Sequence, residues 1–174
     1  MAALAGIAAG HTVIASVSGS VSVVDGTSME PTYEPGARIY TAPISGPLLR
    51  GDIVLVDDGN KEYAVKRIVG LPGETLEIWR GYVFINRKML IEGYLPKYTF
   101  TFPDERNQRS VFKLRPGEYF VLGDNRPSSA DSREYGPIKR ESIKSRVPLP
   151  ETTLRATFGD FALPAPGKRT IRAL

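Results

Sequence analysis

The chain has 174 residues, no cysteine and a single histidine, His11. These counts exclude disulfides, thiol nucleophiles and thiolate metal sites, and they leave no histidine cluster to hold a metal. The net charge is +4 and the excess falls late, with eight Lys/Arg against three acids from Lys139 onward. No compact basic run or aromatic–basic module occurs, so nucleic acid is not an expected partner.

Residues 2–9 are apolar but far short of the about 20 residues a spanning helix needs. No Lys or Arg precedes Arg38 to flank an anchor. Residues 1–12 therefore read as an N-terminal segment, a missing or vestigial anchor, and a catalytic-sized domain follows over 13–147. From Val13 to Val24 the pattern has period two: valines and Ala15 fall on one face and Ser16, Ser18, Ser20 and Ser22 on the other. This predicts one half-buried strand. It runs into Gly26-Thr27-Ser28-Met29-Glu30-Pro31, where Pro31 fixes its own φ and restricts Glu30, holding Ser28 on a stiff elbow.

Short strands are predicted over 37–41, 52–57, 62–70, 75–79 and 82–85, with 89–91 extending the meander. Pro35-Gly36, Asp58-Gly59, Pro72-Gly73, Arg80-Gly81 and Pro116-Gly117 supply the turns. Residues 92–115 mix tyrosines, phenylalanines, charges and prolines, and read as a small loop-rich cap. A strand over 119–122 leads into Gly123-Asp124-Asn125-Arg126 and an aperiodic loop to Gly136. Residues 138–147 are expected to hold a helical turn and a last strand, and 148–174 a Pro-rich basic tail with little structure. Short strands, Pro-Gly turns and no long helical pattern predict a mainly β fold of antiparallel strands.

A serine nucleophile needs a group to take its proton. With one histidine, and that in the N-terminal segment, a lysine or carboxylate base is the better fit. Lys66 lies in Tyr63-Ala64-Val65-Lys66-Arg67-Ile68-Val69, where alternation puts it between Ala64 and Ile68 on an apolar face. Burial there disfavours the ammonium and prepares a base. The loop 123–136 packs serines, aspartates and arginines into a short stretch, fit to set a hydroxyl beside a buried amine.

Together these stretches resemble bacterial type I signal peptidases. Ser28-Met29-Glu30-Pro31-Thr32 is similar to that family's nucleophile box. Lys66-Arg67-Ile68-Val69-Gly70-Leu71-Pro72-Gly73-Glu74 is similar to its lysine box, and Gly123-Asp124-Asn125-Arg126 to Gly136 to its final box. Gly51-Asp52-Ile53-Val54 matches the short box between the first two. The resemblance implies a Ser28/Lys66 dyad that forms an acyl-enzyme, with Ser129 orienting the Lys66 amine. It implies Asp131 and Arg133 as a structural ion pair, supported by Asp124 and Arg126. The oxyanion hole would use the Ser28 N–H. Some relatives add a hydroxyl two residues before the nucleophile, where this chain has Gly26. It also implies signal-peptide substrates cut after small residues of the Ala-X-Ala kind, membrane association on the extracytoplasmic face, and no cofactor or metal. The alternatives are a Ser/Lys autoprotease like the SOS repressors, which lacks the loop 123–136, and a non-catalytic peptide-binding relative.

Overall fold

The computed structural model describes residues 12–14, 21–57, 62–103, 109–148 and 156–162. Among these, thirteen strands make two antiparallel sheets, with one short α-helix and two single-turn 3-10 helices. The larger sheet contains β1 (Thr12–Ile14), β2 (Val21–Asp25), β3 (Arg38–Tyr40), β4 (Ile53–Asp57) and β5 (Tyr63–Gly70). It is completed by β10 (Glu118–Leu122), β11 (Ile138–Lys139) and β12 (Ile143–Val147). The order is β11-β10-β5-β1-β2-β3, with β4 paired to β5 and β12 to β4. The smaller sheet has the order β13-β8-β7-β6-β9. Its strands are β6 (Thr75–Trp79), β7 (Tyr82–Ile85), β8 (Lys88–Glu92), β9 (Arg109–Lys113) and β13 (Ala156–Ala162).

The central strands are buried on both faces, which is why they read as continuous apolar runs. Ile53 and Leu55 of β4 join Val24, Met29, Ile39, Val65 and Val147 in one cluster. Val54 and Val56, on its other face, pack with Leu48, Ile68, Val121 and Ile143. A third cluster carries Val69, Phe120 and Leu122 of the larger sheet onto Leu76, Ile78, Val83, Ile85 and Leu90 of the smaller one. Turn chemistry sets the hairpins. Arg80 and Gly81 both have positive φ between β6 and β7, as do Asn86 and Arg87 between β7 and β8, the requirement of type I′ turns. Pro72-Gly73 and Pro116-Gly117 close with Glu74 N–H to Leu71 C=O (3.2 Å) and Glu118 N–H to Arg115 C=O (3.0 Å).

Three expectations change. The single strand over 13–24 is two strands, with Val13 of β1 paired antiparallel to Val24 of β2. In β2 it is the serine side that faces inward: Ser22 is 1% exposed, while Val21 and Val23 are 54% and 50% exposed. Val24 decides this parity by packing with Met29 and Ile39, and Ser22 shares its face. The cap over 92–115 includes β9, which pairs along the whole of β6. The tail includes β13, which pairs with β8. The turn expected at Asp58-Gly59 lies outside the described residues, although Asp57 and Tyr63 on either side are paired.

Candidate active site

β2 ends at Asp25 and the chain turns through Gly26, whose φ of 133° lies where a side chain would be strained. Glu30 N–H donates to Thr27 C=O (3.0 Å) and Tyr33 N–H to Met29 C=O (3.0 Å). Met29, 1% exposed, anchors this turn in the core. Ser28 is therefore held on a rigid bend beside β5, where Val65 packs in the same cluster as Met29.

Lys66 is fully buried. Its Nζ lies 3.0 Å from Ser28 Oγ and donates to the Val65 carbonyl at 3.2 Å. Burial lowers its pKa from 10.5 to about 8. Asp131 and Asp124 oppose that shift, while Arg133 assists it. Ser28 and Lys66, which the sequence motifs pair, are thus in direct contact.

The loop after β10 is fastened to the nucleophile turn by backbone. Asn125 N–H donates to the Ser28 carbonyl (3.0 Å) and Asn125 Nδ2 to the Thr27 carbonyl (3.1 Å). Gly123 permits this approach: a Cβ there would meet Ser129 Oγ at 2.2 Å and the Ser28 carbonyl oxygen at 2.5 Å. Asp131 is fully buried and caps helix α1 (Ser132–Tyr135) by accepting from Arg133 N–H. Its carboxylate also takes a two-pronged contact from Arg133, Nε and Nη2 each at 2.8 Å, and accepts from Gly123 N–H at 3.1 Å. Arg133 Nη2 donates further to the Ser129 carbonyl (3.2 Å). Ser132 Oγ accepts from Val121 N–H (3.0 Å), a contact nothing in the sequence singled out.

One expectation about this loop is corrected. Ser129 does not bond Lys66; its Oγ is buried with no hydrogen-bond partner. It lies over Gly123, and the amine turns to Val65 instead. Asp124 and Arg126, expected in support of the Asp131–Arg133 pair, each take a partner from outside the loop. Asp124 takes Arg67 in a bidentate contact, Nε–Oδ1 2.9 Å and Nη2–Oδ2 2.6 Å, with both residues about 1% exposed. Thr32 Oγ1 donates to Asp124 at 2.5 Å, and Arg67 Nη1 donates to the Gly51 carbonyl at 2.9 Å. Burial disfavours the Arg67 charge, but Asp124, together with Tyr94 and Tyr33, outweighs it and raises the pKa. Arg126 pairs with Glu92 through Nη1 (2.9 Å) and Nη2 (2.6 Å), and also bonds Thr101. Burial favours neutral Glu92, yet Arg126 beside it holds the carboxyl below its ordinary range. Tyr94 completes this layer, with the Arg67 guanidinium 3.9 Å from its ring centre and its hydroxyl donating to Glu92.

Arg67, Glu92, Tyr94 and Asn125 are site residues to which the sequence motifs assign no role. Arg67 had a signal: a cation inside an apolar strand must find a carboxylate. No group of three or more metal-ligating side chains occurs among the described residues, and no helix among them is long and apolar enough to cross a membrane.

Residues 1–150 match the family described as Signal peptidase, peptidase S26. A signal peptidase I of Bacillus caldolyticus is 37% identical over 136 residues, covering 72% of this chain and 75% of that protein. One of Bacillus licheniformis is 37% identical over 125 residues, covering 64% of each. Signal peptidase I V of Bacillus subtilis is 34% identical over 131 residues, covering 69% of this chain and 78% of that protein. A solved signal peptidase I from Enterococcus faecalis is 33% identical, with a TM-score of 0.48, covering 60% of this chain and 99% of that one. With Ser28 and Lys66 in direct contact, the chain belongs to the signal peptidase family, peptidase S26, serine endopeptidases that cleave signal peptides.

Proposed function

We propose that Ser28 is the acylating nucleophile and Lys66 its general base, acting on preproteins after small residues of the Ala-X-Ala kind. The observation that carries this reading is the 3.0 Å approach of Lys66 Nζ to Ser28 Oγ in a site where the lysine is fully buried. At pH 7 a lysine with its ordinary pKa is neutral in roughly one molecule in 3,000; a pKa of about 8 raises that to about one in ten. The neutral amine takes the Ser28 proton as Oγ attacks the scissile carbonyl. The resulting ammonium gives a proton to the departing amine, leaving an ester on Ser28. Water, deprotonated by the same amine, then hydrolyses the ester and returns Ser28.

The Ser28 N–H donates to the oxyanion in this scheme. Gly26 offers no side-chain donor, and the strain a side chain would meet there accounts for a glycine at that place. Asp131 and Arg133 hold Gly123 and Ser129 by hydrogen bonds, and Ser129 acts by packing its side chain over Gly123 rather than by bonding Lys66.

The protein works at a membrane, on its extracytoplasmic side. Support comes from apolar side chains left exposed, Val21, Val23 and Tyr40 on β2 and β3, and Tyr98 and Phe102 on the cap. Sedimentation with vesicles checks this part separately. The catalytic reading is tested with a peptide carrying an Ala-X-Ala junction, with and without detergent. Ser28→Ala and Lys66→Ala are each expected to lose at least about a thousandfold in kcat. Cleavage by either variant at the wild-type rate would refute the dyad.

A further inference from the structure

We propose that Thr12–Ile14 is an autoinhibitory strand: it fills, with the chain's own backbone, the slot an extended substrate must enter to reach Ser28. The inference rests on the dyad reading above and concerns access to it. In the larger sheet β5 and β2 are not paired with each other; three-residue β1 stands between them. It is antiparallel to both, with Thr12 opposite Asp25 and Ala64, and Val13 opposite Val24 and Tyr63. β2 and β5 therefore run in the same direction, and both run toward the site. Asp25 stands three residues before Ser28, and Ala64 two residues before Lys66. The gap filled by β1 opens onto the dyad.

A peptide lying extended ahead of Ser28 must find partners for its backbone N–H and C=O groups, and the facing edges of β2 and β5 are the ones beside the reacting atoms. β1 already uses those edges. The outer strands of the sheet, β3, β11 and β12, are each separated from β5 by at least one other strand. At three residues β1 makes few ladder bonds, so opening it is a local event within reach of a binding substrate. If β1 occupies the slot nine-tenths of the time, apparent substrate affinity falls about tenfold while the chemical step is untouched.

The full chain carrying Val13→Pro tests this, because proline removes the N–H at 13 and with it a ladder bond of a strand only three residues long. With an Ala-X-Ala peptide, KM is expected to fall about tenfold at unchanged kcat. An unchanged KM in a variant that melts like the wild type overturns the proposal. A second measurement needs no change in β1. In Ser28→Ala, which holds the peptide without turning it over, a saturating peptide should speed hydrogen exchange at the Val13 and Ile14 amides while β2 and β5 stay protected. Unchanged exchange with peptide bound also overturns it. Adding Ser28→Ala to Val13→Pro separates the two readings: cleavage by the double variant refutes the dyad, whereas an inactive double variant together with an unaltered KM in Val13→Pro alone refutes only the strand.

Discussion

Replacing Lys66 by methionine measures how strongly the fold resists the charge it carries. In the folded chain the Lys66 pKa is about 8 against an ordinary 10.5. Below pH 8 the amine is protonated in both folded and unfolded chains, and the buried ammonium costs about 3 kcal/mol of stability. Between pH 8 and 10.5 the unfolded chain binds more protons than the folded one, so stability rises with pH and the penalty fades. Methionine has a similar length and no charge, but it gives up the contacts to Ser28 Oγ and the Val65 carbonyl, worth about 1 kcal/mol each. Lys66→Met should therefore be more stable than the wild type by about 1 kcal/mol at pH 6.5 and less stable by about 1 kcal/mol at pH 10. The change between the two pH values, about 2.5 kcal/mol, is free of packing terms because they do not titrate. Urea unfolding of both proteins at both pH values reads it directly, since other titrating groups common to the two chains cancel. A stability gap equal at pH 6.5 and pH 10 would refute the depressed pKa and, with it, the argument for a neutral base.

The pH dependence of kcat/KM should show a rising limb near 8, and Arg133→Gln should move that limb to higher pH, because Arg133 lowers the Lys66 pKa and Asp131 raises it. Either Arg67→Met or Asp124→Leu alone should cost about 3–5 kcal/mol in urea unfolding by stranding a buried charge, and the double variant should recover most of that loss. Gly123→Ala should cost about 1–3 kcal/mol of stability and lower kcat, because its Cβ would press on the Ser28 carbonyl. Thermal melting and steady-state rates check both parts.

The strands around the site were legible because their burial is extreme. Ile53–Val56 and Val65–Gly70 are buried on both faces, and a short, largely apolar run bounded by turn residues packs as a strand covered on both sides. The parity of β2 was not legible, since adjacent Val23 and Val24 offer a valine to either face and only the packing of Val24 onto Met29 and Ile39 chooses. β9 and β13 were missed for a different reason. Each is defined by a distant partner, β6 and β8, and β9 is partly or fully exposed throughout. At the site, Ser28, Lys66 and the loop from Gly123 announced themselves through residue type and spacing. The partners of Asp124 and Arg126 did not. The motif gave them only a supporting role, whereas Asp124 meets Arg67 and Arg126 meets Glu92. Ion-pair choice depends on which charges are buried together, and alternation along a strand does not reveal it.

The arrangement of those ion pairs bears on why a lysine can serve as the base. Asp131 and Asp124 both act on Lys66, and each by itself would stabilise its ammonium. Each carboxylate is instead matched by its own two-pronged arginine, Asp131 by Arg133 and Asp124 by Arg67. At the amine Arg133 offsets part of the Asp131 field, and the sum of these charges stays smaller than the effect of burial. Desolvation is then left as the largest influence on Lys66, and it favours the neutral form. Without Arg133 the Asp131 carboxylate would act on Lys66 unopposed, raise its pKa and leave a smaller share of neutral amine to accept the Ser28 proton.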